Sequence, residues 1–187
     1  MDIKKTLIQI YNLSDTDWEN TIKNYVPVTI FANSSFLKQG DISDRLGFVK
    51  TGLLRAFFFD NDTNEITTHF FLPGSVVISV DSFNNQVKSK EGIVAIDNSE
   101  LLVINYQKIK ELYHTVPVWQ QICKDVAESK NKDLIDRTVQ FQTLTATERY
   151  QLFCQQYPEV VRKVALRHIA SYLGIDIATL SRIRKKK

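Results

Sequence analysis

The residues best equipped for chemistry lie near the C-terminus, in the run Leu166-Arg167-His168-Ile169-Ala170-Ser171-Tyr172-Leu173-Gly174-Ile175-Asp176-Ile177-Ala178-Thr179-Leu180-Ser181-Arg182-Ile183-Arg184. Two short helices that cross steeply need a small residue at their close approach, a turn residue tolerating positive φ, and apolar inner faces. Ala170 meets the first need and Gly174 the second. Ile169, Leu173, Ile175, Leu180 and Ile183 meet the third, and Asp176 stands where a side-chain cap for the second helix belongs. The spacing predicts a helix-turn-helix. On the outer face of its second helix, Ile177, Ala178, Ser181, Arg182 and Lys185 would look into a major groove, and Thr179, Arg184, Lys186 and Lys187 would reach phosphates. Arg182 is the candidate for a bidentate contact to guanine. A plain amphipathic hairpin with a solvated basic face is the competing reading.

Charge favours the first reading. The chain has 187 residues and a net charge of +3. From Arg162 onward, however, eight basic residues meet only Asp176, whereas the preceding residues carry an excess of acids. A basic end on an acidic protein points to a polyanionic partner, and the expected partner is double-stranded DNA. Other chemistries find little footing. His69, His114 and His168 are scattered and fit structural or surface roles better than metal ligation. Cys123 and Cys154 are too few for a disulfide scaffold and are not spaced as ligand pairs. Asp15/Asp17 and Asp60/Asp62 sit in cap or turn contexts, and no nucleophile elbow, Walker loop or dinucleotide fingerprint occurs. No enzyme, metal or cofactor is expected. The absence of a long apolar run or a cleavable leader predicts a cytoplasmic protein without membrane contact.

The elements that must position this end follow from periodicity. Ser14 caps a helix reaching about Tyr25, with Asp17 in its first turn and Leu13 and Trp18 spaced as a hydrophobic staple. Between Val28 and Ile104 come about eight short β-rich runs broken by turn signals, among them Val28 to Phe31, Leu53 to Phe59, Ile66 to Leu72, Val76 to Val80 and Gly92 to Ile96. They imply an antiparallel sandwich or barrel. Ala56-Phe57-Phe58-Phe59 reads as a strand buried on both faces, a core signature and not a ligand site. After Tyr106 the period turns helical: Lys108 to His114, then Val118 to about Phe141 without Gly or Pro. That second helix is too long to pack wholly on the roll, although its apolar stripe is interrupted near Ser129, Lys130 and Asp133. Trp119 at its start reads as a packing anchor. Thr145 and Glu148 have capping-box spacing and open a further helix ended by Pro158. The fold class is α+β, and three segments result: a sensor roll over residues 1–115, a long helix over 116–144, and a helix-turn-helix domain over 145–187.

A roll with a Pro-Gly turn, a long following helix and a C-terminal helix-turn-helix together resemble the Crp/Fnr superfamily of bacterial transcription regulators, across nearly the whole chain. Glu148-Arg149-Tyr150, His168 to Ile175 and Leu180 to Arg184 resemble a Bacteroidetes-type branch. The resemblance implies a homodimer formed through the long helix, a jelly-roll-like sensor domain, and two recognition helices on a near-palindromic site. In cyclic-AMP-binding members a Glu after the Pro-Gly turn holds the ribose and an Arg further on meets the cyclic phosphate. The matching positions here are Ser79 and Lys90-Glu91. Ser79 is too short, and Lys90 offers a point charge beside the repelling Glu91. Ser79, Lys90 and Glu91 are therefore the candidate effector-binding residues, for an unknown small molecule other than cyclic AMP. Iron–sulfur sensing needs four thiolates, which two cysteines cannot supply. Of the DNA-reading positions only Arg182 matches the cyclic-AMP receptor, so a different operator is expected, and the chain shows little room for the family's wing hairpin. The alternative function is a small-molecule- or protein-sensing roll whose DNA module is degenerate.

Overall fold

In the computed structural model, which describes residues 3–185, eight strands form two four-stranded antiparallel sheets. One sheet orders β1 (Val26–Ile30), β8 (Ser99–Asn105), β3 (Arg45–Thr51) and β6 (Val76–Val77). The other orders β2 (Ser35–Leu37), β7 (Gly92–Ala95), β4 (Leu54–Phe59) and β5 (Glu65–Phe71). Alternate residues point inward, and Ile30, Val49, Val77, Leu101 and Val103 of the first sheet meet Phe36, Leu54, Ala56, Phe71, Ile93 and Ala95 of the second in one buried cluster.

The outer face of each sheet is covered by helices. Over the first lie α1 (Ile3–Tyr11), α2 (Asp15–Ile22), α4 (Tyr106–Thr115) and the start of α5 (Val118–Thr143), packed around Leu46, Phe48, Ile104 and Trp119. Ser14 caps α2 by accepting from Asp17 N–H at 3.1 Å, and Leu13 and Trp18 enter that cluster together. Trp119 is buried, and its Nε1–H donates to Thr21 Oγ1 at 2.8 Å, which fixes the root of α5. Over the second sheet lie α6 (Ala146–Gln156), α7 (Pro158–Lys163), α8 (Leu166–Leu173) and α9 (Ile177–Lys185), packed around Leu53 and Phe70. The capping box is present with both reciprocal bonds. Pro158 ends α6 and also opens α7 at its first turn, where a missing N–H costs nothing.

Three expectations need correction. The Val76 to Val80 run does not continue as strand: from Val80 to Asn85 the chain forms helix α3. Ser82 explains the change, since its buried hydroxyl accepts from Ser43 N–H and donates to Val87 O, offering the backbone an alternative to sheet pairing. Secondly, α1, β2 and α7 were not expected as elements. Thirdly, only the first part of Ala56-Phe57-Phe58-Phe59 is core. β4 pairs with β7 as far as Phe57, so Phe58 and Phe59 overhang it and are 37% and 45% exposed.

Candidate functional site

The two helices of the C-terminal run meet as the residue spacing requires. Ile169, Ala170, Leu173 and Leu180 are buried together, and Gly174 takes the left-handed conformation at φ 64°. Its neighbour Ile175 donates to Ala170 O at 3.1 Å, closing the C-terminus of α8. A Cβ on Gly174 would also lie 2.7 Å from the Phe141 ring of α5. Asp176 caps α9 by accepting from Thr179 N–H at 2.7 Å and from the Thr179 hydroxyl at 2.8 Å. These bonds hold the Asp176 carboxyl below its usual range.

Ile177, Ala178, Arg182, Arg184 and Lys185 are exposed on α9, and Thr179 and Ser181 are half-buried. Ile177 is 50% exposed, an apolar side chain open to solvent over half its surface. Thr179 is less free than expected, because its hydroxyl, besides donating to Asp176, accepts from Arg182 Nη2 at 2.9 Å. Lys186 and Lys187 lie outside the described residues.

A second concentration of polar groups lies on the opposite side of β5. A cavity of about 1230 Å³ opens between the second sheet, α3 and α5. Ser79, Lys90 and Glu91 all line it, so the structure does bring the three effector candidates together. Lys90 stands exposed at the lip. Ser79 is buried, its hydroxyl 3.0 Å from Ser89 Oγ. Glu91 accepts from the Thr68 hydroxyl at 3.2 Å, and burial pushes its carboxyl pKa up.

Reading by residue type missed the groups that α5 and β5 add to this cavity. Lys130 Nζ lies 2.6 Å from His69 Nε2 and 4.5 Å from the centre of the Phe71 ring. For Lys130 to donate, His69 must be neutral with its proton on Nδ1. Burial, reinforced by Lys130 and Arg137, lowers His69 to about 3, and burial lowers Lys130 to about 8. Two turns further along α5, Arg137 donates to Thr68 O (2.9 Å), Thr67 O (3.3 Å) and Tyr172 O (2.7 Å), and it stacks over Tyr172. Phe58 and Phe59 also line this space, so the expected core strand ends in a cavity wall. The available signal in the sequence is the polar break at Lys130 within the apolar stripe of α5.

β5 joins the two regions. At Thr68 the register with β4 shifts by one residue, His69 facing Ala56 and Thr67 facing Phe57. Thr67 N–H donates to Ser171 Oγ of α8 at 3.1 Å, while Phe70 packs among Phe153, Tyr157 and Tyr172. Beside them the buried Arg55 pairs with Glu65 and lies over Phe57.

Residues 8–116 match the cyclic nucleotide-binding domain family. The chain belongs to that family. No curated protein matches this cyclic nucleotide-binding-domain protein at a significant level. Among solved structures it is similar to FixK2 from Bradyrhizobium japonicum, at 16% identity over 87% of this chain and 83% of that one, with a TM-score of 0.76. It is similar also to the c-di-GMP-responsive global regulator CLP of Xanthomonas campestris, at 17% identity over 92% and 91% of the two chains, with a TM-score of 0.73. A candidate transcriptional regulator of the crp/fnr family from Eubacterium rectale gives 14% identity, 94% and 83% coverage and a TM-score of 0.72. The fold is thus that of Crp/Fnr regulators.

The positions expected to match the cyclic-AMP cassette carry Ser79, Lys90 and Glu91. No arginine from β6, α3 or β7 reaches the cavity, Ser79 is engaged with Ser89, and Glu91 would oppose a phosphate. Among the described residues no group of three or more His, Cys, Asp or Glu could hold a metal, and no helix is long and apolar enough to cross a membrane.

Proposed function

We propose that the protein is a sequence-specific DNA-binding transcription regulator of Crp/Fnr type, with residues 1–115 as sensor, 116–144 as dimerisation helix and 145–187 as the DNA-reading domain. The observation that carries this reading is the α8/α9 pair. Its inner face is closed by Leu173 and Leu180, its turn by Gly174 and Asp176, and its outer face leaves Ile177, Ala178, Arg182, Arg184 and Lys185 exposed. A buried inner face and an exposed, basic outer face are what a groove-reading helix needs. Arg182 reads a guanine, Ile177 and Ala178 meet thymine methyls, Ser181 and Lys185 share their groove-facing side, and Thr179 and Arg184 serve the backbone. The stretches around Glu148-Arg149-Tyr150 and Leu180 to Arg184 support a Bacteroidetes-type member.

The homodimer is supported by α5. Ile135 and Val139 are 62% and 49% exposed one turn apart, an apolar stripe that a second copy would cover. With one reading head per protomer, the operator is a near-palindrome. The test is selection of bound sequences from random duplexes, followed by titration of the enriched site. A palindrome should emerge, and Arg182→Ala should weaken binding by about 1–3 kcal/mol and relax one position of the site. No enrichment, or an Arg182→Ala protein that binds unchanged, refutes the reading.

A further inference from the structure

Two cations of α5 face the cavity with no carboxylate in ion-pair contact, although Glu91 and Asp133 also line it and favour the charge of Lys130 from farther off. Lys130 and Arg137 are seven residues apart, about 10 Å of axial rise, and so lie on one face of the helix. Both are half-buried, and among the described residues neither belongs to an ion pair. Buried charges are normally paired, since desolvation otherwise opposes them. Here burial is the first cause lowering the pKa of each. Their hydrogen bonds go instead to neutral groups: His69 Nε2 for Lys130, and carbonyl oxygens for Arg137. Donors are left over. The Lys130 ammonium has two more N–H bonds, and Arg137 Nε is buried with no hydrogen-bond partner. Around them Phe58, Phe59, Phe71 and Ile78 give the cavity an apolar wall.

We propose that this cavity binds a small organic anion, its carboxylate or phosphate held by Lys130 and Arg137 of α5, and its apolar body lying against Phe58, Phe59, Phe71 and Ile78. The anion is thus recognised from the long helix and not from the β6–β7 segment, where Ser79 is engaged and Glu91 is acidic. The proposal rests on the sensing role given to residues 1–115. Because Arg137 also holds Tyr172 O at the end of α8, the occupant touches the same side chain that ties α8 to β5.

The test is calorimetric titration of the full chain at neutral pH with hexanoate, hexyl phosphate, hexanol and hexylamine. At least one anion should bind more tightly than hexanol, and hexylamine should not bind; the order of the two anions distinguishes a carboxylate from a phosphate source. Lys130→Gln should weaken anion binding about 10- to 100-fold while leaving hexanol unchanged. Lys88→Gln, exposed and outside the cavity lining, should change it by less than about threefold. Arg137→Lys, which keeps the charge but not the fork of donors, should also weaken it, with circular dichroism checking the fold. Equal binding of hexanol and the anions, no binding of either anion at millimolar concentration, or an unaffected Lys130→Gln protein overturns the proposal. The titration contains no DNA, so a chain that takes the anion but selects no duplex refutes only the regulator reading.

Discussion

Phe70 and Phe71 are adjacent on β5, and each is 1% exposed, yet they belong to different cores. Phe71 points between the sheets, against the cluster containing Leu54 and Ile93. Phe70 points away from them, with ring centres 5.3 Å from Tyr172, 6.0 Å from Phe153 and 6.3 Å from Tyr157. Removing either ring should cost about 3–5 kcal/mol, the usual cost of emptying a fully buried Phe site. The aromatic contacts of Phe70, worth about 0.5–1.5 kcal/mol per pair beyond burial, put its replacement toward the upper part of that range. A domain is stable by only about 5–15 kcal/mol, so both losses are large in chemical denaturation. What differs is where they appear. In native-state hydrogen exchange, Phe70→Ala should strip protection from Ile169 to Leu173 and Tyr150 to Phe153, leaving Leu101 to Val103 protected. Phe71→Ala should lower protection of the strands and spare α8. Identical exchange patterns for the two variants, or a loss under about 1 kcal/mol for Phe70→Ala, would refute the argument that this ring docks the C-terminal helices on the roll.

Gly174→Ala should destabilise the protein by about 1–2 kcal/mol in thermal unfolding, because the left-handed turn penalises any Cβ and the Phe141 ring must also move; an unchanged melting temperature counts against it. Ile135→Lys places a charge in the exposed stripe of α5 and should shift sedimentation from dimer to monomer at micromolar concentration, with helix content unchanged. His69 is lowered to about 3, first by burial and then by Lys130 and Arg137, so the unfolded chain takes up its proton before the folded one. Stability should therefore fall as pH drops from about 6.5 toward 3, and His69→Gln should flatten that part of the curve; an equally steep decline in the variant excludes His69 as its source.

The features legible in the sequence are those whose partners lie within a turn of one another. Ser14 with Asp17, Thr145 with Glu148, Asp176 with Thr179 and Gly174 at the end of α8 are short-range devices, and each appears in the structure at its expected place. The cavity is a different case. Lys130 gains its meaning from His69, 61 residues earlier, and Arg137 from Thr68, 69 residues earlier. On the helix alone they are only interruptions of an apolar period. Phe58 and Phe59 misled for a similar reason: hydrophobicity indicated burial, but where β7 ends decides whether a strand residue has a neighbour. The Val80 to Asn85 helix depended on Ser82 finding Ser43 across 39 residues.

The register shift at Thr68 shows how one inserted residue gives a strand two functions. A regular strand alternates faces every residue, so Thr67, His69 and Phe71 would share one side, and Ile66, Thr68 and Phe70 the other. With Thr68 as the bulge, Thr67 moves to the side of Phe70, while His69 and Phe71 keep the inner side. Thr67 and Phe70 can then hold α8 as His69 and Phe71 face Lys130. A bulge at the edge of a sheet also leaves carbonyls without ladder partners, and β5 is such an edge. Arg137 donates to both Thr67 O and Thr68 O, and its third bond, to Tyr172 O, reaches α8 from the same guanidinium. A shift of Arg137 toward an anion in the cavity would therefore weaken the edge of β5 and the end of α8 together, and this requires no displacement of the sheets themselves.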